Sequence, residues 1–313
     1  MARGVAFLEE TQNEDGSWGG PHLTKGLNIY APVPGAHHAF QAGSSALALS
    51  ALIDCEALVD VEPLVIDRAE AWLLARLPRL RRANAQAIYN IWGHGFGLET
   101  LAKMAKRHAG DEATLAEIRK VMRGQVDLLG RYASVMGGWG YYDFKHHTKQ
   151  PGGVPMSFTT ATVLIGLQSA REAGGVEIPE ALVKKALAAV KRQQIPDGSF
   201  AYAENSRMMP RWGINRPAGS LGRSLACFVA QAVWEDPSRN QTEDLEIWLG
   251  RLFDRQLWLD MARKRPVPHE SYFQVAGYSY YYAHYYGALA IDHLPPVQRV
   301  PRAGRCRLEV PAH

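Results

Sequence analysis

The chain has 313 residues, 47% apolar and 21% charged, with a net charge of +4 and a sequence pI near 8.9. That length supports one large domain or two small ones with a sizeable core. The mild positive bias sits in runs such as Arg79-Leu80-Arg81-Arg82 and Arg263-Lys264-Arg265, with no accompanying recognition motif, which argues against a nucleic-acid partner.

The first predicted element lies in "RGVAFLEETQNEDGSW", residues 3–18. Val5 and Leu8 start an apolar helical stripe, and Asn13-Glu14-Asp15-Gly16 ends it as a turn in which Gly16 takes a positive φ. Trp18 can fold its indole back over the helix end, where Gln12 can hydrogen-bond exposed backbone groups. The basic–small–x–x–aromatic–aliphatic opening returns at Arg68-Ala69-x-x-Trp72-Leu73. It returns again at Arg123-Gly124-x-x-Asp127-Leu128 with the aromatic lost. "KALAAVKRQQIPDGSF" keeps the spacing of Val190, Gln194, Gly198 and Phe200, and a worn fifth copy holds Trp248-Leu249. The aliphatic anchors 8, 73, 128, 190 and 249 are separated by 65, 55, 62 and 59 residues. That is room for two helices and their loops.

Between the anchors lie helices rich in small and apolar residues, at 43–55, 88–104, 156–170, 222–234 and 277–291. They are apolar nearly all round, as buried helices are, whereas Glu112 to Met122 and Ala181 to Arg192 are amphipathic. No stretch alternates as a strand does. The pattern predicts an all-α domain over 1–293, built of about five helix hairpins with an outer and an inner ring, and a tail at 294–313. Three widely separated cysteines, Cys55, Cys227 and Cys306, form neither a disulfide framework nor a CxxC metal cluster. No apolar run has the length of a membrane span, and "MARGVAFLEETQ" lacks a signal-peptide core, so the cytoplasm is expected.

Arg3-Gly4-x-x-Phe7-Leu8-x-x-x-Gln12-x-x-x-Gly16-x-Trp18 resembles the Gln-Trp repeat of squalene–hopene and oxidosqualene cyclases. These belong to a superfamily of (α/α) toroids that also contains protein prenyltransferase β subunits. "GHGFGLETL", "GGWGYY" and "YYYAHYYGALA" are similar to segments of bacterial cyclase-like repeat proteins. The resemblance implies the toroid and a terpene cyclase-like or prenyltransferase-like activity on an isoprenoid in an aromatic-lined central cavity. The cyclase motif Asp-x-Asp-Asp before Thr-Ala is missing. Met156-Ser157-Phe158-Thr159 stand where the acids belong, before Thr160-Ala161. A hydroxyl cannot protonate an isolated alkene at a useful rate. Asp54-Cys55-Glu56 falls at the end of an inner helix and is no substitute.

The resemblance also places Cys227 and His284 near the zinc-binding positions of prenyltransferases, with Leu225 where that family has an Asp. Catalytic zinc takes three protein ligands, and His94 is the candidate third. By phase the cavity would be lined by Tyr89, Trp92 and His94, by Ser157 and Thr159, by Arg216 and Arg223, and by Tyr278 to His284. "YSYYYAHYY" holds six tyrosines and a histidine in nine residues. Their rings can stabilise cations or simply fill the core. Arg223 on an apolar helix needs an anion, with Asp143, Glu99 or a ligand as candidates. His37-His38 and His146-His147 read as loop residues.

The reading is a cyclase-like enzyme with His94, His284 and Tyr282 as proton-transfer groups and Tyr89, Trp92, Thr159, Arg223, Tyr278 and Tyr281 as substrate wall. No cofactor is expected unless Cys227 and His284 hold zinc. The alternatives are a non-catalytic toroid binding a lipid, peptide or protein, with peripheral membrane contact, or a zinc-dependent prenyl-transfer module.

Overall fold

A computed structural model describes residues 1–20, 38–80, 91–141, 153–234, 241–265, 273 and 275–299, with backbone alone at 38, 39, 217 and 218. Its helices are α1 (Ala2–Glu10), α2 (His38–Cys55), α3 (Pro63–Arg76), α4 (Ile91–Arg107), α5 (Glu112–Tyr132), α6 (Ser157–Ala173), α7 (Glu180–Arg192), α8 (Pro217–Trp234), α9 (Gln241–Arg263) and α10 (Tyr280–Asp292). Short 3-10 turns and a final helical turn at 296–299 accompany them. Among the described residues there is no strand; Met156 with Ala203 and Gln194 with Phe200 form isolated bridges. The all-α expectation holds. None of the described helices is long and apolar enough to cross a membrane.

The described residues divide into two compact units, one from 1–153 and 162–185, the other from 154–161 and 186–299. Helices α6 and α7 give residues to both. In the first unit α2 packs on α4 and α3 on α5, while α2 also meets α1 and α3. Alternate helices therefore share a layer. The α5 sequence explains its place: Asp111 accepts from the Ala113 and Thr114 amides, and Leu115, Ile118, Met122, Val126 and Leu129 form one buried stripe. Helix α4 is buried nearly all round. It approaches α6 closely, since a Cβ on Gly95 would lie 2.9 Å from Thr162 Cγ2 and one on Gly166 2.5 Å from the Gly95 carbonyl. In the second unit α8 packs on α9 and α10, and α9 on α10.

The joints between helices use one device three times. Trp18 Nε1 donates to the Leu8 carbonyl at 2.8 Å, and Trp139 Nε1 to the Leu129 carbonyl at 2.9 Å. The turns have the same backbone bonds: Gly16 N to Asn13 O, Gly137 N to Ser134 O and Gly198 N to Ile195 O, each 2.9 Å. All three glycines have positive φ, at 89°, 87° and 83°. Gly16 also lies against the next odd-numbered helix, where an added Cβ would sit 2.5 Å from the Arg68 carbonyl; Gly137 meets the Lys185 carbonyl in the same way. The Trp18 amide then donates to Ser45 Oγ at 2.8 Å and the Phe200 amide to Ser224 Oγ at 3.3 Å, which sets where the following helix packs.

This corrects the third repeat. Its anchor is Leu129 rather than Leu128, so Leu128 takes the place of Phe7 and Trp72 and the opening aromatic is indeed absent, while Trp139 takes the place of Trp18, with Ala133 in place of the glutamine. The basic–small pair at 123–124 matches the motif one residue out of phase. Helix α2 starts five residues before the expected 43, and the expected start of the last inner helix is a 3-10 turn, Ala276–Ser279.

Gly137→Ala is expected to lower the unfolding free energy by about 2–4 kcal/mol, through left-handed strain and the blocked carbonyl contact. Gly130→Ala in α5, where an added Cβ meets nothing among the described residues, should instead stabilise by about 0.5–1 kcal/mol. Urea midpoints of the two variants check the contrast.

Candidate functional site

His94 lies in the first unit on α4, fully buried. Its Nδ1 is 2.7 Å from Gln125 Oε1 on α5, and Gln125 Nε2 donates to the Leu77 carbonyl at 3.1 Å. The amide orientation makes His94 the Nδ1–H tautomer. Its Nε2 is a buried acceptor with no partner among the described residues. Burial pushes the imidazole down to about 4, partly opposed by the Gln125 bond. It is a neutral ring beside Tyr132, whose centroid is 6.0 Å away. The glycines flanking it serve packing: Gly95 admits α6, and Gly93 faces Gly43 of α2. Trp92, half-buried, stacks on Phe96 at 5.8 Å. Tyr89, Asp143, His37 and His146-His147 lie outside the described residues, and of His38 only the backbone is described.

The remaining candidates lie in the second unit. At the start of α6 Ser157 and Thr159 are buried. Ser157 Oγ donates to the Ala201 carbonyl at 2.7 Å and Thr159 Oγ1 to the Met156 carbonyl at 3.2 Å. These hydroxyls satisfy backbone, and no carboxylate occupies the segment 156–161. Arg223 is buried on α8, and its guanidinium donates to the carbonyls of Phe200, Gly219 and Ile214 and lies 5.7 Å over the Tyr202 ring. Backbone oxygen meets much of the demand for which an anion was expected. Arg216 is exposed, its Nε donating to the Arg211 carbonyl. Cys227 is fully buried, and burial pushes its thiol up to about 12. Among the described residues no three His, Cys, Asp or Glu side chains group as a metal site would need.

The tyrosine segment divides by helical phase. Tyr280 and Tyr286 are core residues. Tyr281, Tyr282 and Tyr285 share one face of α10, and Tyr278 precedes them in the 3-10 turn. Tyr278 is 50% and Tyr281 71% exposed; Tyr282 and Tyr285 are half-buried. Tyr282 Oη donates to the Phe158 carbonyl at 2.8 Å, and its ring meets Phe158 edge-on. Half-buried His284 packs at a tilt against Tyr280 at 4.4 Å, and its Nδ1 donates to the Tyr280 carbonyl at 2.7 Å. Arg263 lies 5.0 Å over Tyr280 and 5.7 Å over Tyr281. Exposed Tyr278 and Tyr281 beside half-buried Tyr282, Tyr285 and His284 can hold an apolar or cationic group.

Comparison with known protein families, curated proteins and solved structures finds no match.

Three features were missed at the level of sequence. Gln125 reads as a polar surface position of an amphipathic helix, yet it holds His94. Asn215 organises the 199–216 loop, accepting from the Tyr202 amide and donating to the Ser206 and Met209 carbonyls. The same loop exposes Met208, Met209 and Trp212 around an open hollow of about 520 Å³. The acids at the end of α2 are taken by ion pairs, Asp54 with Lys103 and Glu56 with Arg107.

Between its ordinary value near 6.5 and its folded value near 4, the unfolded chain binds a proton that folded His94 refuses. Stability from this group is therefore complete above pH 6.5 and falls as the pH drops toward 4, by about 2 kcal/mol at pH 5. Urea unfolding at pH 7 and pH 5 should show a smaller loss for His94→Gln than for the parent chain, by about that amount.

Proposed function

We propose that this chain is an (α/α) repeat toroid that binds an apolar, isoprenoid-like molecule on the tyrosine face of α10, without starting a cyclisation by protonation. The observation that carries the reading is the group formed by Tyr281, Tyr282 and Tyr285 on α10 and Tyr278 in the turn just before it. Aromatic residues at helical spacing ordinarily disappear into a core, and here two of the four are at least half exposed. The alternation of helix layers and the repeated Gln-Trp-like joint support the toroid. The start of α6 supports binding over acid catalysis, because its hydroxyls are bonded to carbonyls and it carries no carboxylate.

Fluorescence titration with farnesol and geranylgeraniol tests the site. Tyr281→Ala is expected to weaken binding about 5- to 10-fold, equivalent to roughly 1 kcal/mol for a lost ring contact. Product extraction should return the alcohols unchanged. A product lost in His284→Ala would overturn the non-catalytic half of the reading. It would instead support the second one, in which His284 Nε2 takes a proton from the bound molecule.

The exposed Met208, Met209 and Trp212, with exposed Arg211 and Arg216 beside them, suit contact with an anionic bilayer from which such a molecule would be drawn. Co-sedimentation with phosphatidylglycerol-containing vesicles is expected, and Met208→Ser with Trp212→Ser should reduce it. Equal sedimentation with and without these changes would count against this contact.

A further inference from the structure

The 206–216 loop displays its side chains from a fixed backbone. Met209 N donates to the Ser206 carbonyl at 2.9 Å and Trp212 N to the Met209 carbonyl at 3.0 Å. Asn215 Nδ2 donates to the same Met209 carbonyl at 3.1 Å, and Arg223 Nη2 holds the neighbouring Ile214 carbonyl at 2.7 Å. Asn215 is fully buried. From this frame Met208 stands 81% exposed and Met209 49% exposed, beside exposed Trp212 around the open hollow. Met104 on α4 and Met122 on α5 are fully buried instead.

Contact with an apolar phase needs hydrophobic bulk, which leucine supplies as well as methionine. The thioether adds one property, a sulfur lone pair open to two-electron oxidation by a peroxide. In that step an S–O bond forms as the O–O bond of hydrogen peroxide breaks. The sulfur gives up two electrons, and the second oxygen leaves with both hydrogens as water. The product is a sulfoxide, a polar hydrogen-bond acceptor where an apolar group stood. Access decides which sulfur reacts. Met208 and Met209 are reached in the folded chain, whereas Met104 and Met122 are shielded.

We propose that Met208 and Met209 are an oxidative modification site: peroxide converts them to sulfoxides, and the modified loop is released from an anionic bilayer. The inference rests on the reading of this loop as a bilayer contact and supplies its control. Two sulfoxides hold their water and oppose entry of Trp212 into the interface. Exposed Arg211 and Arg216 keep their charge, so the electrostatic part of the attraction stays while the apolar part is lost. The bonds that shape the loop run through Asn215 and the backbone and use no sulfur, so the fold outlasts the modification. Methionine sulfoxide reductases reverse such a change.

Co-sedimentation of the full chain with phosphatidylglycerol-containing vesicles, before and after hydrogen peroxide, tests the control. Peptide mass mapping should find oxygen added at Met208 and Met209 ahead of Met104 and Met122, with circular dichroism unchanged. The oxidised chain should partition into vesicles about tenfold less, and methionine sulfoxide reductases A and B should restore it. Met208→Leu combined with Met209→Leu should sediment like the untreated parent both before and after peroxide. That variant separates these two sulfurs from exposed Met136 and Met261. An untreated chain that stays in the supernatant would bring down the bilayer reading, and the control with it. An untreated chain that sediments, and sediments equally with both sulfoxides in place, would overturn the control alone. So would a loss in the leucine variant as large as in the parent.

Discussion

A glycine turn pressed on a backbone carbonyl of the next odd-numbered helix is the contact on which this fold depends. A residue with a Cβ could neither adopt the positive φ nor approach the Arg68 or Lys185 carbonyl. The indole N–H donates to a carbonyl in the last turn of the preceding helix, that of Leu8 in one joint and, beside the Ala133 amide, that of Leu129 in the other. With the end of the helix fixed, the turn's amide donates to a serine two turns into the following helix, Ser45 of α2 or Ser224 of α8. Layering of alternate helices is the outcome of these local joints, and the apolar faces then supply most of the stability.

The joints were legible because they are made of residues with few substitutes. A glycine needed for φ and an indole needed for its N–H announce themselves at fixed spacing. The third repeat shows where such reading slips. Arg123-Gly124 imitates the opening of the motif, but the parts that geometry constrains are Gly137 and Trp139, and these set the register one residue later. Side chains that answer one another across the fold were not legible. Gln125 lies 31 positions from His94 and looks like any polar residue on an amphipathic helix. Arg223 announced a need for negative charge, and the carbonyls of Phe200, Gly219 and Ile214 are among the acceptors its donors meet. Backbone oxygens carry no sequence signal.

The two histidines singled out by their neighbours have different chemistry. His94 is sealed, neutral and held by an amide, and its charged form is strongly disfavoured. His284 stands half-buried with its orientation fixed by a backbone carbonyl one turn earlier. The tyrosines around His284 separate in the same physical way: Tyr280 and Tyr286 fill the interior, Tyr282 and Tyr285 are half-buried, and Tyr278 and Tyr281 are exposed. A run of identical residues thus performs two tasks, assigned by helical phase alone.

The joint also has a consequence for how such a chain changes over evolutionary time. Its receiving half is largely backbone, so it asks little of the side chains on the helix that accepts it. A block of about sixty residues, two helices and their loops, can be duplicated, deleted or exchanged with both of its junctions still matching. Surface and interior residues within each block are then free to diverge. The wear seen in the copies, with Ala133 for a glutamine and Phe200 for a tryptophan, is the record expected of a lineage edited by whole blocks.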